Sequence, residues 1–195
     1  MRKSDNKEQR ENIIKAAKVL FARYGFKKTT MNDIAKTSKK AKSSLYYYFV
    51  SKEDVIKAVI ENEASELKSK LEIAMKKAHS PQEKLKAYMI TRMLAMRELS
   101  NLYIAFKDEY VEMYDFIEKI RKNYDRYEIE TFKKIMIDGL KSGIFSVKDL
   151  DLTAYAIAIA TKGIEYKFAT EKNSETLEKD INALMDILFN GIAKK

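Results

Sequence analysis

Cysteine is absent from this chain and histidine occurs once, at position 79. The first absence excludes a disulfide framework and thiolate chemistry. The second leaves a zinc site or a histidine-based catalytic triad almost nothing to draw on, so His79, just before Ser80 and Pro81, reads as a surface residue. Glycine is scarce, and none of the five forms a GxGxxG or P-loop pattern that would cradle phosphates. No apolar run approaches the roughly 20 residues of a membrane span. The opening MRKSDNKEQREN is too polar for a signal peptide. Carboxylates are plentiful, but they are spread along the sequence beside basic partners, as solvated salt-bridge decoration is. These absences lead to the expectation of a soluble, cytoplasmic, non-enzymatic protein with no cofactor, no metal and no membrane attachment.

What is present is unevenly distributed. Residues 1–60 hold 15 Lys/Arg against 6 Asp/Glu, whereas residues 61–195 hold 23 of each, so the whole net charge of +9 belongs to the first third. A basic segment on a balanced remainder suggests a polyanion-binding module attached to a body with another task. With 46% apolar residues, the chain can bury a core as one compact domain or two small ones.

The stretch TTMNDIAKTSKKAKSSLYYYFVSK, residues 29–52, organises the rest. Thr30 has the makings of an N-cap, with Asp33 three places on to complete a capping box, and Met31, Ile34 and Ala35 then share one helical face. A lysine-rich turn around 38–41 precedes a second short helix, 42–49, in which Leu45 and Phe49 sit at i and i+4 and must be buried together. Successive helical residues are about 100° apart, so Tyr46, Tyr47 and Tyr48 cannot all turn inward with them. Exposed phenols beside Lys39, Lys40, Lys42 and Lys52 can grip phosphates and base edges. Two short helices with a tight turn form a helix-turn-helix, although a helical corner with half-buried tyrosines would show the same periodicity.

Upstream, Ile13, Ala17, Leu20 and Tyr24 mark an amphipathic helix that ends at Gly25, which suits the left-handed position past a helix end. The string IIKAAKVLFARYGFKKTTMNDIAKTS followed by KSSLYYYFVSKEDVIKAV resembles the N-terminal domain of the TetR family of transcriptional regulators over about residues 10–60. Several separate features agree in order: the AA-x-x-LF helix, GF, T-x-x-DIA, LYYYF and SKED. The resemblance implies that Lys42, Ser43, Ser44 and Tyr46, with Asn32, face base edges in the major groove, and that Thr30, Tyr47, Tyr48 and Lys52 hold the phosphate backbone. The chain departs from the family at Lys39, where a glycine is usual, and at Tyr48, where a histidine is usual. Lys39 is therefore expected in a left-handed turn position at some cost, or in a slightly different turn.

Ser51 with Asp54 is a second capping box, and a long helix without Gly or Pro then runs to about residue 78. Ser80-Pro81-Gln82-Glu83 starts another, with proline where its missing N–H costs nothing. Further helices are expected to Gly143, with breaks near Ser100 and Asn123. Asp149 caps a helix from about 152 to 170, and a last helix covers about 174–192. The fold expectation is all-α: a helix-turn-helix domain over 1–50, joined by the long helix to a helical ligand-binding and dimerisation domain over 51–195.

Met89, Met93, Met96, Tyr103, Phe106, Tyr110, Met113, Tyr127 and Phe132, with Tyr155 and Ile159, recur at helical spacing, which fits ordinary core as well as an adaptable apolar pocket. The resemblance favours a pocket for a small, largely apolar effector, and no charged pocket residue stands out. The run 154–160 is small and apolar nearly all round, and the last helix carries an a/d-like stripe. Ala154, Ala158, Leu177, Ile181, Leu184 and Leu188 are accordingly expected in a homodimer interface. Together these imply a ligand-responsive regulator, a repressor, that binds a palindromic double-stranded DNA site as a dimer. The alternative is a helical adaptor whose basic end meets an acidic protein or a membrane surface.

Overall fold

The computed structural model describes the backbone of residues 2–105, 110–170 and 175–190, and side chains over 5–95, 116, 119–120, 122–164 and 179–190. Among the described residues there are eight α-helices and no strands: α1 (Arg2–Lys28), α2 (Met31–Thr37), α3 (Lys42–Tyr48), α4 (Lys52–Lys76), α5 (Pro81–Ala105), α6 (Tyr110–Lys141), α7 (Leu150–Thr170) and α8 (Glu175–Asn190). Two compact units share them, one of residues 1–65 with 100–121 and one of residues 66–99 with 122–195.

The helix starts follow local chemistry. Thr30 Oγ1 accepts from the Asp33 amide at 3.2 Å while Asp33 Oδ2 accepts from the Thr30 amide at 3.0 Å, which completes the expected capping box. Ser51 Oγ accepts from the amide of Asp54, Ser80 Oγ from that of Glu83, and Asp149 Oδ1 from that of Leu152. Each satisfies a donor that the first helical turn leaves without an intrahelical partner. Gly25, at φ 80° and ψ 170°, breaks the regular helix inside α1, because only glycine takes that angle without a Cβ clash.

The break expected near Ser100 is displaced, since α5 continues to Ala105 and α6 begins at Tyr110, and the one expected near Asn123 does not occur, since α6 runs unbroken to Lys141. Serine and asparagine cost a helix interior only a few tenths of a kcal/mol, which a packed apolar face outweighs.

In the first unit Ile13, Ala17, Phe21, Ile34, Leu45, Val55 and Val59 are fully or almost fully buried together, and Phe116 packs against the same cluster. In the second, Leu71, Leu85, Tyr88, Met93, Phe132, Ala154 and Ile181 form the core. Lys18 and Glu63 pair at 3.0 Å, tying α1 to α4 inside the first unit.

Candidate nucleic-acid interface

Helix α3 divides its residues as the 100° step demands. Leu45 is 0% and Phe49 3% exposed, while Tyr46 is 45% and Tyr47 75% exposed. Tyr48 lies between, half-buried against the core of the first unit, its ring edge-on to that of Tyr47 at 5.1 Å. Lys42 and Ser43 are exposed and Ser44 half-buried in the first turn, and Thr30 and Asn32 are exposed at the start of α2. Arg10 stacks over Phe49 at 5.1 Å, and the Asn12 amide donates to the Ser38 carbonyl, so α1 braces the end of α3 and the turn before it.

The turn itself is strained at one residue. Lys39 has φ +54°, the only positive φ at a non-glycine among the described residues. Its amide donates to the Lys36 carbonyl and that of Lys40 to the Ala35 carbonyl at 2.8 Å, so the left-handed step is what turns the chain from α2 into α3. Asp33 is held below the usual carboxylate range by the Thr30 hydroxyl and then the Thr30 amide, and so stays ionised at the helix start.

Lys52 is placed differently from the expectation that it faces phosphate. Its ammonium donates to the carbonyls of Phe26 at 2.7 Å, Thr29 at 3.0 Å and Lys27 at 3.5 Å, and it sits 4.2 Å from the centre of the Phe26 ring.

In the second unit, Met89, Met93 and Phe132 are buried in the core, and Tyr127 is half-buried under Lys68 with its hydroxyl toward Glu72. Tyr155 and Ile159 point out to solvent, at 51% and 52% exposure, because α7 has two apolar faces and turns Ala154, Ile157, Ala158 and Thr161 inward instead. Ala154, Ala158 and Ile181, expected at a dimer interface, close this unit's own core, while Leu184 and Leu188 are exposed. Met96, Tyr103, Phe106, Tyr110, Met113 and Leu177 lie outside the described side chains. A surface groove of about 610 Å³ between α4 and α5 is lined by Ile73, Ala74, Ala87, Ile90 and Leu94 with Lys70 and Lys77, and by none of the residues expected around an effector.

A buried polar cluster escaped the sequence reading. Arg92 is 0% exposed, and its guanidinium donates to Glu128 at 2.7 Å and to the Tyr124 hydroxyl at 2.6 Å, lying 5.1 Å over the Tyr124 ring. The Tyr88 hydroxyl donates to the same Glu128 oxygen at 3.1 Å, and burial pushes the Tyr88 phenol far up, so it stays protonated. The signal was present: Tyr88 and Arg92 on α5, and Tyr124 and Glu128 on α6, are i, i+4 pairs, and Arg92 is the sole charge in residues 87–96.

Comparison with known proteins identifies the architecture. Residues 13–59 match bacterial regulatory proteins of the tetR family, and residues 63–194 match the C-terminal region of QacR-like proteins. The chain is 28% identical over 189 residues to the HTH-type transcriptional regulator QacR of Staphylococcus aureus, spanning 95% of this chain and 98% of that one. It is 26% identical over 136 residues to the HTH-type transcriptional repressor KstR2 of Mycolicibacterium smegmatis, spanning 67% and 66%. Among solved structures, a TetR-family transcriptional regulator from Syntrophomonas wolfei superposes with a TM-score of 0.78 at 22% identity, over 96% of this chain and 98% of that one. FadR of Bacillus subtilis, solved in complex with stearoyl-CoA, gives 0.73 at 22% identity over 94% and 99%. With its tyrosine-faced helix-turn-helix and its helical C-terminal region, the chain belongs to the TetR family of bacterial transcriptional regulators.

Proposed function

We propose that this protein is a repressor that binds a palindromic operator as a homodimer and leaves it when a small, largely apolar effector enters the helical body. The observation that carries the reading is the two-sidedness of α3: Leu45 and Phe49 inside, Tyr46 and Tyr47 outside in a lysine-rich setting. Lys42, Ser43, Ser44 and Tyr46, with Asn32, read base edges, whereas Thr30, Tyr47 and Tyr48 hold phosphates.

The dimer uses the outer faces that the second unit's core leaves open. Leu152, Tyr155 and Ile159 repeat at i, i+3 and i+7 along α7, and Leu184, Ile187 and Leu188 share the outer side of α8, all at least 36% exposed. Burying the exposed half of such side chains contributes on the order of 1 kcal/mol each, which suits a second copy of the same surface. Two readers on a two-fold axis then set half-sites one helical turn or a multiple apart.

The division of labour on α3 is tested with Lys42→Ala. Loss of a base contact costs on the order of 1–3 kcal/mol on the preferred site, with little loss on random duplex. Measuring both affinities at several salt concentrations decides the matter, because equal losses on the two duplexes would remove Lys42 from the readout.

A further inference from the structure

We infer that the outer groove between α4 and α5 is a binding site for a small anionic amphiphile, a single alkyl chain that ends in a carboxylate or a similar head group. Both walls lie in the second unit. Lys70, Ile73 and, just past the end of α4, Lys77 form one wall, and Ala87, Ile90 and Leu94 of α5 form the other. On each side the residues recur at i, i+3 and i+7, so each wall is a row about two turns, or roughly 10 Å, long. Both rows face away from the core, which takes Leu67 and Leu71 from α4 and Leu85, Tyr88 and Met89 from α5. Two large aliphatic side chains therefore stay in water: Ile73 is 54% and Leu94 44% exposed. The groove encloses about 610 Å³, within the range of roughly 300–1,000 Å³ that small-ligand sites occupy.

Charge selects the ligand. Lys70 and Lys77 line the groove and no carboxylate does. Across residues 68–91 six lysines stand against Glu72 and Glu83, and both acids are engaged elsewhere. Glu72 accepts from the Tyr127 hydroxyl, and Glu83 from the His79 amide. Lys84 is neutralised by Asp138 at 2.9 Å, whereas no carboxylate among the described residues pairs with Lys77. A lysine stem covers apolar surface while its ammonium stays in water, so a head group at the rim meets a cation as its chain lies over Ile73, Ile90 and Leu94. Ile73 belongs to the helix that opens at Lys52 after the reader, and an occupant that binds one spacing of α4 from α5 more tightly than another changes DNA affinity. The inference goes beyond the proposed function and rests on it only for this last effect.

The test uses the full-length protein without DNA and takes decanoate as the probe, below the concentration at which it forms micelles. By calorimetry, decanoate binds about tenfold more tightly than decyltrimethylammonium, which has the same chain and the opposite charge. Lys77→Glu lowers the decanoate affinity by about tenfold and Lys77→Arg keeps it. Leu94→Glu, which sets a carboxylate against the alkyl chain, abolishes binding. Both positions face solvent, so the melting temperatures without probe stay close to that of the wild type. A decanoate with a diazirine at its far end, photolysed and mapped by mass spectrometry, labels residues 73–77 or 87–94.

Equal affinity for the two head groups, undiminished binding in Leu94→Glu, or label confined to α6 and α7 would each overturn the inference. A shift of Leu94→Glu toward monomer in sedimentation would also overturn it, because the groove would then belong to a second copy of the chain. Wild-type protein that binds no duplex, with or without decanoate, would refute the proposed function, while calorimetry on the free protein still decides the groove.

Discussion

Replacing Arg92 with methionine isolates the energetics of the second unit's core. Arg92 and Glu128 are 0% and 3% exposed as side chains, so neither charge is screened by water. Their attraction offsets a large desolvation cost, and the intact pair contributes little net stability. Removing one partner is another matter. In Arg92→Met the Glu128 carboxylate keeps its buried place and loses the guanidinium 2.7 Å away, which costs about 3–5 kcal/mol. With a urea m-value of roughly 2 kcal/mol/M, the midpoint moves down by about 2 M. Adding Glu128→Met recovers most of the loss, since the orphaned charge is gone and the Tyr88 and Tyr124 hydroxyls remain to bond each other.

The single variant also changes its pH dependence. A carboxyl alone in that site has a folded-state pKa above the unfolded value of about 4.3, so the folded state holds its proton where the unfolded chain has released it. The unfolded state binds fewer protons, and stability falls as pH rises through that window, by up to about 1.4 kcal/mol per pH unit. Urea titrations of the three variants at pH 5 and pH 7 are sufficient. A loss in Arg92→Met below about 1 kcal/mol, or a variant no more sensitive to this pH step than the wild type, would refute the reasoning.

Three further outcomes are expected. Thr30→Ala removes the larger of the two causes that hold the Asp33 carboxyl low, the hydroxyl bond, and leaves the amide bond, so the stability that the wild type gains above the ordinary Asp range, and loses as pH falls through the depressed folded value, shrinks without vanishing; thermal melts from pH 2 to 7 measure it. Lys39→Gly relieves the positive φ and raises stability by on the order of 1 kcal/mol, or about 2–4 °C in Tm; an unchanged or lower Tm would show that the turn is not strained. Sedimentation at micromolar concentration finds twice 22.7 kDa for the wild type and a shift toward monomer for Ile187→Glu, whose site is 53% exposed in one copy; a wild-type monomer would remove the palindrome argument.

Short-range chemistry fixed much of this protein in advance. The capping box at Thr30, the Ser51 cap, the glycine at 25, and the pairing of Leu45 with Phe49 act within four residues, so the reader's helices and its outward tyrosines could be derived from order alone. The left-handed Lys39, one of two outcomes left open there, was implied by the family resemblance, in which a glycine is usual at that position. The helix breaks expected near Ser100 and Asn123 did not fall there, because packing over a whole face overrides local preference.

Only the tertiary structure decided what depends on partners distant in sequence. Lys52 meets carbonyls 23 to 26 positions earlier and Arg92 a carboxylate 36 positions later, so a local pattern could mark Arg92 as a lone charge in an apolar stretch but could name the partner of neither. A helix apolar on all sides, such as α7, does not say which side its own core will take; packing sent Ala154 and Ala158 inward and left Tyr155 and Ile159 outside. Periodicity specifies which residues share a face, and the rest of the fold specifies what that face meets.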